Sequence, residues 1–548
     1  MADRRGDKFT PMSAAHPHAE LELPEDVETL KAQIAHLGAE LAMREAALAA
    51  RDETIAGLNE QLRLLLARRF GASSERVADG QLGLFNEAEE LAAEDADEAL
   101  GEDSESVAVT GHTRRGRGKR SALPEHLPRV DVIHELPDSE RVCPHDGATL
   151  ESFAEECSEQ LDVQPARFQV LRHRRLKYRC PCCAEHLRTA PMTPQPIPKS
   201  QASPGLLAFI ATSKYVDGMP LYRLAKQFER IGVTIPRQTQ GRWMVQSGDV
   251  VQPVINLLRE RMLEGRYIHC DETTVQVLDE PGKSAQSKSY MWVQASGTGE
   301  QPVVLFDYDP SRSGAVPKRL LEGFRGYLQT DAYSGYNDVA RDPGVMRLLC
   351  LAHARRHFVD GLTAQGINPN KLPAKPPDKA RRLLTALGYL RHVYTIERRI
   401  RGCPPEERYA VRQREARPVL ERLHTWALAT RAKVAPKTPL GKALAYLVEH
   451  WQGLIRFLDD GRLEVDNNRA ENAIRPFTLG RRAWLFSATV EGAKASANLY
   501  SLVETARANH IEPYAYLRHL FTELPKAQSV EDVEALLPWH LDRESFKL

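Results

Sequence analysis

Tyr267-Ile268-His269-Cys270-Asp271-Glu272-Thr273-Thr274-Val275 is the stretch on which the fold turns. Aromatic and β-branched residues surround a charged centre, which predicts a strand with an acid in its middle. Working outward, 289–295 and 303–308 read as two more strands, and 315–324 as a helix. A short strand at 326–330 follows, ended by Asp331, then a helical turn near 336–340. Residues 345–351 give a fifth strand that runs into a helix through His353, Arg355 and Arg356.

Three strands, a helix, a strand, a helix and a strand form the order of an RNase H-like α/β domain. That order sets Asp271 on the first strand and Asp331 at the end of the fourth, on adjacent strands. Two carboxylates so close are costly unless cations neutralise them. Mg²⁺ (or Mn²⁺) suits such sparse acidic ligands, because it keeps several waters and needs few carboxylates. The predicted site therefore performs displacement at phosphorus. A third carboxylate is expected on a helix beyond the fifth strand, in Val465-Asp466-Asn467-Asn468-Arg469-Ala470-Glu471-Asn472-Ala473-Ile474-Arg475-Pro476-Phe477. Asp466 is the predicted N-cap. Ala470, Ala473, Ile474 and Phe477 make a buried stripe, and Asn467, Glu471 and Arg475 share a polar face at spacings of four. Glu471 would then complete the metal ligands with Asp271 and Asp331, while Arg475 contacts phosphate. A single acid is more often surface than catalytic, so the weight rests on three at matching positions.

Toward the amino terminus, Val27, Ile34, Leu41, Leu48, Ile55 and Leu62 repeat every seven residues. Leu30, Leu37, Arg44, Arg51, Leu58 and Leu65 form a second series three residues on. This is the pattern of a coiled coil, hence of a homo-oligomer. The alternative is one long amphipathic helix packed on its own chain. Net charge is zero over 548 residues, but its distribution is uneven. Residues 87–105 hold ten acids and no Lys or Arg, and Arg114, Arg115, Arg117, Lys119 and Arg120 follow. The acidic run reads as a spacer. The basic run reads as an arm along DNA phosphates, with Arg114, Arg115 and Arg117 in contact, or else as a solvated tail.

Five of eight cysteines lie between 143 and 183. The charged start MADRRGDKF has no apolar run behind it and no stretch is apolar enough to span a membrane, so the expectation is a cytoplasmic protein, nucleoid-associated when on DNA. Clustered cysteines in a reducing compartment point to metal. Cys180 and Cys183 have the spacing of one zinc knuckle, and Cys143 begins the other half. Asp146 stands where a knuckle would carry cysteine, so His145 or Asp146 supplies the fourth ligand of a structural Zn²⁺, or the knuckle has lost its metal. Farther on, 221–230 and 237–246 read as two helices joined by Ile231-Gly232-Val233. Such a pair sets Arg237, Gln238, Gln240 and Arg242 in a major groove, or is a plain packing unit. A long helical stretch, 376–458, interrupts the strand-bearing region.

The expected organisation is multidomain α+β. It runs from a coiled coil (24–70) and an acidic-then-basic linker (71–125) to a zinc-finger-like domain (126–192) and a helical DNA-binding region (200–262). The catalytic domain follows in two parts (263–358 and 461–510) around a helical insertion (359–460), with a helical tail (511–548).

Over nearly its whole length the chain resembles transposases of the insertion-sequence-66 family. The matching stretches are the zipper, LLLARRFGASSERV, SEQLDVQPARFQVLRHRRLKYRC, SKYVDGMPLYRLAKQFERIGV, HCDETTVQVLD, LQTDAYSGYN, CLAHARRHF and DNNRAENAIRPFTLGRRAWLFS. The resemblance implies a three-carboxylate domain with Asp271 from HCDET, Asp331 from TDAYSGYN and Glu471 from DNNRAENAIRPF. It also implies a zinc finger ahead of that domain and a helical insertion before the third carboxylate. The implied activity is metal-dependent cleavage and strand transfer at the terminal inverted repeats of the element, with target DNA and small accessory proteins of the same element as partners. Asp146, where many relatives carry cysteine, departs from the pattern. A hydrolytic nuclease on the same fold and a catalytically silent DNA-binding regulator are the competing readings.

Overall fold

The computed structural model describes residues 26–70, 168–179, 187–297, 299, 301–369, 372 and 376–546. Arg114, Arg115, Arg117 and the five zinc candidates Cys143, His145, Asp146, Cys180 and Cys183 lie outside the described residues. In chain order the described strands are β1 (Lys177–Arg179), β2 (Leu187–Thr189), β3 (Tyr267–Asp279), β4 (Lys288–Ser296), β5 (Val304–Asp309), β6 (Gly326–Thr330), β7 (Val345–Leu349) and β8 (Ser487–Thr489). The chain is multidomain, with a mixed sheet and many helices, and it divides into two compact units.

The first unit combines Ile255–Gln276 and Gln286–Thr478 with the helix Val27–Phe70. Its sheet has the order β5-β4-β3-β6-β7. β3, β4 and β5 pair antiparallel, as strands joined by short connections do, whereas β6 lies parallel to β3 and β7 parallel to β6. A parallel neighbour needs a crossover, supplied before β6 by the segment with the helix Ala315–Leu320. Central strands buried on both faces account for their near-continuous apolar runs: Met291, Trp292 and Val293 in β4 are each at most 1% exposed.

After β7 the chain enters the helix Leu351–Ala364 and then the helices Arg381–Arg399, Pro405–Val411, Arg417–Arg431 and Pro439–Glu449. Their apolar stripes meet in one core, which includes Phe358, Leu390, Leu423, Leu444 and Phe457. Arg412 is fully buried at the start of a wide helical turn, Arg412–Ala416. Its guanidinium donates to both oxygens of Glu397 (2.8 and 2.6 Å) and to the carbonyls of Phe457, Asp460 and Leu463. Every donor direction of a planar fork is thereby used, which is what makes burying the charge tolerable. The bonded carbonyls belong to the segment that leads back toward Asn468.

The helix Val27–Phe70 is continuous over 44 residues. Its heptad positions Ile34, Leu41, Leu48, Ile55 and Leu62 are all more than half exposed within the single chain, and the helix also touches Leu351–Ala364 and Pro439–Glu449.

The second unit contains the helices Pro204–Tyr215, Leu221–Arg230, Arg237–Val250, Val490–Ala508 and Pro513–Glu523. β1 and β2 form an antiparallel pair, with 180–186 between them in sequence. Gly248 lies against Ala495 so closely that a Cβ at 248 would sit 2.5 Å from the Ala495 methyl. Ser496 and Tyr500 of Val490–Ala508 meet Tyr215 at the end of Pro204–Tyr215. Gly232, at φ +80°, turns the chain between Leu221–Arg230 and Arg237–Val250, a conformation that side chains with a Cβ resist.

Candidate active site

The register of β3 with β6 pairs Tyr267 with Tyr327, Ile268 with Leu328 and His269 with Gln329. Carried onward along both strands, it sets Asp271 level with Asp331 and on the same face. Asp331 sits where β6 ends, and its carboxylate accepts the Tyr333 amide at 2.9 Å. Arg347, largely buried, donates to the carbonyls of Asp331 and Tyr333 and to the Thr330 hydroxyl, fixing the backbone that presents Asp331.

Glu471 arrives from the helix Asn468–Trp484. The predicted stripe is buried as expected: Ala470, Ala473, Ile474 and Phe477 are each at most 8% exposed. The helix begins later than expected, so Asn467 rather than Asp466 occupies the cap position. Asp466 instead accepts the Asn468 amide at 3.2 Å. Asn467 ties the helix to β3 by donating to the Cys270 carbonyl (2.9 Å) and pairing with Nδ1 of His269 (3.1 Å). The preceding segment is tied as well: Tyr267 accepts the Glu464 amide at 2.9 Å, and Gln329 donates to the Glu464 carbonyl. These bonds deliver Glu471, 3% exposed, beside the ends of the sheet. Arg475 lies one turn farther on, partly exposed.

The three acids share one electrostatic environment. Burial, reinforced by the charges of Glu272 and Asp331, pushes the Asp271 carboxyl up to about 8. Burial, then the charges of Asp271, Asp466 and Asp331, pushes Glu471 up to about 9, against some relief from Arg356. Oε2 of Glu471 is buried and has no hydrogen-bond partner. A buried carboxyl with an orphaned oxygen, repelled by neighbouring acids, is what a cation would complete.

Four neighbours escaped the sequence reading. Glu272, adjacent to Asp271, accepts from Arg312 (Nε, 2.9 Å) and from the Tyr336 hydroxyl (2.7 Å). Arg312 stacks over the Tyr333 ring at 4.0 Å and leaves 43% of its side chain exposed. Strand alternation turns Glu272 away from Asp271, so period alone gave it no role. Cys350 and His353 approach Glu471 Oε1 at 4.0 and 3.8 Å. Among the described residues, the set with ligand atoms all within 4.8 Å of one another is Cys350, His353 and Glu471 rather than the three carboxylates. The Cys350–His353 spacing, one helical turn, was the signal available in the sequence.

In the second unit Arg237, Gln238 and Arg242 are exposed at the start of their helix, as a groove-facing element requires. Gln240 is not. It is fully buried and donates to the Ile235 carbonyl at 2.9 Å, because it falls one turn before Trp243 and Met244 on the buried stripe.

No described helix is long and apolar enough to cross a membrane. The model of the Transposase IS66 family matches residues 199–495, and that of the IS66 C-terminal element matches 501–539. Two further models match ahead of these: "Transposase C of IS166 homeodomain" over 57–132 and "zinc-finger binding domain of transposase IS66" over 140–184. Uncharacterized protein y4jD of Sinorhizobium fredii is 34% identical over 448 residues, covering 78% of this chain and 84% of its own. Uncharacterized protein y4qI of the same organism is 30% identical over 552 residues, covering 95% and 98%. With a family model over more than half its length and relatives matched along most of both chains, the protein belongs to the Transposase IS66 family.

Proposed function

We propose that this DNA-binding transposase cuts and joins DNA at the terminal inverted repeats of its own element, with Asp271, Asp331 and Glu471 as its catalytic carboxylates. The observation that supports the reading is that Asp271, Asp331 and Glu471, from three separate elements, act on one another's charge around a buried Glu471 oxygen without a partner. The strand order, three antiparallel strands followed by two parallel ones, supports an RNase H-like description of the domain. The same residues fit Mg²⁺ or Mn²⁺, hard ions that take carboxylate oxygens. Two such ions would supply Lewis acidity at the attacking and leaving oxygens of an in-line displacement.

The chain's own groups divide the remaining work. Asp331 is oriented by the Tyr333 amide and, through its backbone, by Arg347. Arg312, steadied by Glu272 and Tyr333, offers an exposed guanidinium edge to a phosphate beside the scissile bond. Arg237, Gln238 and Arg242 contact the DNA end from the helix pair, and Arg114, Arg115, Arg117 and Arg475 contact phosphates. The exposed heptad seam of Val27–Phe70 supports self-association as a coiled coil, which holds two element ends together. A structural Zn²⁺ held by Cys143, Cys180, Cys183 and one of His145 or Asp146 orders the finger-like domain. Accessory proteins of the element are further partners.

The test is to incubate the full-length protein with labelled element ends and Mg²⁺. Free 3′-hydroxyl ends and joined products are expected, and Asp271→Asn should abolish both. Cut ends that never join would leave a hydrolytic nuclease. Binding without any cutting would leave a regulator.

A further inference from the structure

Cys350 lies at the exit of β7 and caps the helix Leu351–Ala364, with His353 one turn into that helix. An i, i+3 pair on a helix projects to one side, and here that side meets Glu471 coming from a different helix. Sγ of Cys350 is 4.0 Å and Nδ1 of His353 is 3.8 Å from the same oxygen, Oε1 of Glu471. All three ligand atoms lie within 4.8 Å of one another. The Asn467 amide points at Cys350 Sγ from 3.2 Å, the kind of donor that supports a metal-bound thiolate from behind. Oε2 of Glu471 is buried without a partner, an independent sign that this carboxylate is built for a ligand.

We propose that Cys350, His353 and Glu471 form a binding site for a borderline-soft divalent ion, Zn²⁺, different in ligand chemistry from the three-carboxylate centre and sharing Glu471 with it. Thiolate and imidazole select zinc over magnesium, which prefers oxygen alone. Ligands about 2.0–2.3 Å from a tetrahedral zinc stand roughly 3.3–3.6 Å apart, so the separations of 4.0 and 3.8 Å from Glu471 Oε1 close with shifts of a few tenths of an ångström. Three protein ligands leave the fourth position open. Because the ion takes Oε1 of Glu471, zinc here withdraws that carboxylate from the cleavage centre and inhibits it. That consequence, unlike the site itself, rests on the proposed role of Glu471.

Zn²⁺ alone, titrated into the full-length chain against a competing indicator, tests the site without reference to activity. Cys350→Ser and His353→Gln should each bind one Zn²⁺ fewer than the parent, whatever ions residues 143–183 hold. With Co²⁺ in place of Zn²⁺, Cys350→Ser should lose one thiolate's share of the charge-transfer absorption. Circular dichroism checks folding, and His353→Gln, whose side chain is 27% exposed, decides the matter if the buried cysteine variant unfolds. Unchanged zinc stoichiometry in the folded variants overturns the site. In Mg²⁺-supported cleavage, the Zn²⁺ concentration that halves the rate should rise tenfold or more in Cys350→Ser. One zinc lost without that rise overturns the shared use of Glu471. Loss of the zinc together with a wild-type protein that never cleaves DNA would overturn the cleavage reading and leave the zinc site standing.

Discussion

Glu471→Gln separates what the third carboxylate costs the protein from what it gains for it. The amide matches the carboxyl in size and cannot ionise. Below the ordinary glutamate value of 4.5 the two proteins carry a neutral group at 471 whether folded or unfolded, and their stabilities should agree to within about 1.5 kcal/mol. Above 4.5 the unfolded wild type sheds its proton while the folded one, held up to about 9, keeps it. The folded state then binds the extra proton, so wild-type stability falls as pH rises, by about 1.4 kcal/mol per pH unit until about 9. The variant lacks that slope. Without metal it should therefore be the more stable protein at pH 7, by about 3.5 kcal/mol, the product of that slope and the interval from 4.5. A divalent ion narrows that gap. Ligand at a hundred times its dissociation constant stabilises the folded state by about 2.7 kcal/mol, and the variant, short of one ligand and one charge, forfeits most of this. Urea unfolding at pH 5, 6, 7 and 8, in chelator and in Mg²⁺, reads both effects through tryptophan fluorescence, to which Trp292, buried in the sheet of this unit, contributes. A stability difference that does not change with pH, or equal stabilisation of both proteins by Mg²⁺, would refute the reasoning. Cleavage by the variant should fall roughly a hundredfold or more, in line with loss of a principal electrostatic group.

Arg412→Ala should destabilise the first unit by about 3–5 kcal/mol, because it strands Glu397 and three carbonyls, whereas Arg412→Met with Glu397→Leu should recover much of the loss; denaturant unfolding of the two proteins decides. Arg242→Ala should weaken binding to element ends and lower the slope of log affinity against log salt by about one, measured by fluorescence anisotropy, if it neutralises a phosphate. Removing residues 1–70 should reduce the mass in solution by far more than the segment itself; light scattering that shows only the lost residues would remove the coiled coil. Cys180→Ser should release one Zn²⁺ on metal analysis, and full retention would take Cys180 out of the ligand set.

The parts of this site that were legible in the sequence are those that local periodicity controls. A strand alternates its faces, so an acid in the centre of 267–275 and another at the end of 326–330 are fixed relative to one another once the two strands pair in parallel, and these two strands do pair in parallel over 267–269 and 327–329. A helix repeats every 3.6 residues, so Ala470, Ala473, Ile474 and Phe477 had to share a buried face, and Glu471 beside it had to lie at the margin of that face. The same rule, applied more strictly, would have turned Gln240 inward, since it stands three and four residues before Trp243 and Met244.

What periodicity does not encode is which elements from distant parts of the chain meet. The partner of Glu272 is Arg312, forty residues away, and its second partner, Tyr336, comes from the turn after β6. Asn467 reaches Cys270 across 197 residues. Each such contact depends on a crossover that carries the chain over the sheet, and no window of ten or fifteen residues contains it. Arg412 makes the point in energetic terms. A lone arginine in a charged helical stretch reads as surface, and only the arrival of Glu397 on one side and the carbonyls of 457–463 on the other makes its burial affordable. Those carbonyls belong to the segment that returns to Asn468, so the charge buried in the helical insertion also constrains the approach of Glu471. The insertion is thereby tied to the chemistry through its backbone bonds: a change at Arg412 that leaves every acid in place is expected to shift Glu471 relative to Asp271 and Asp331, and with it the cation that the three would share.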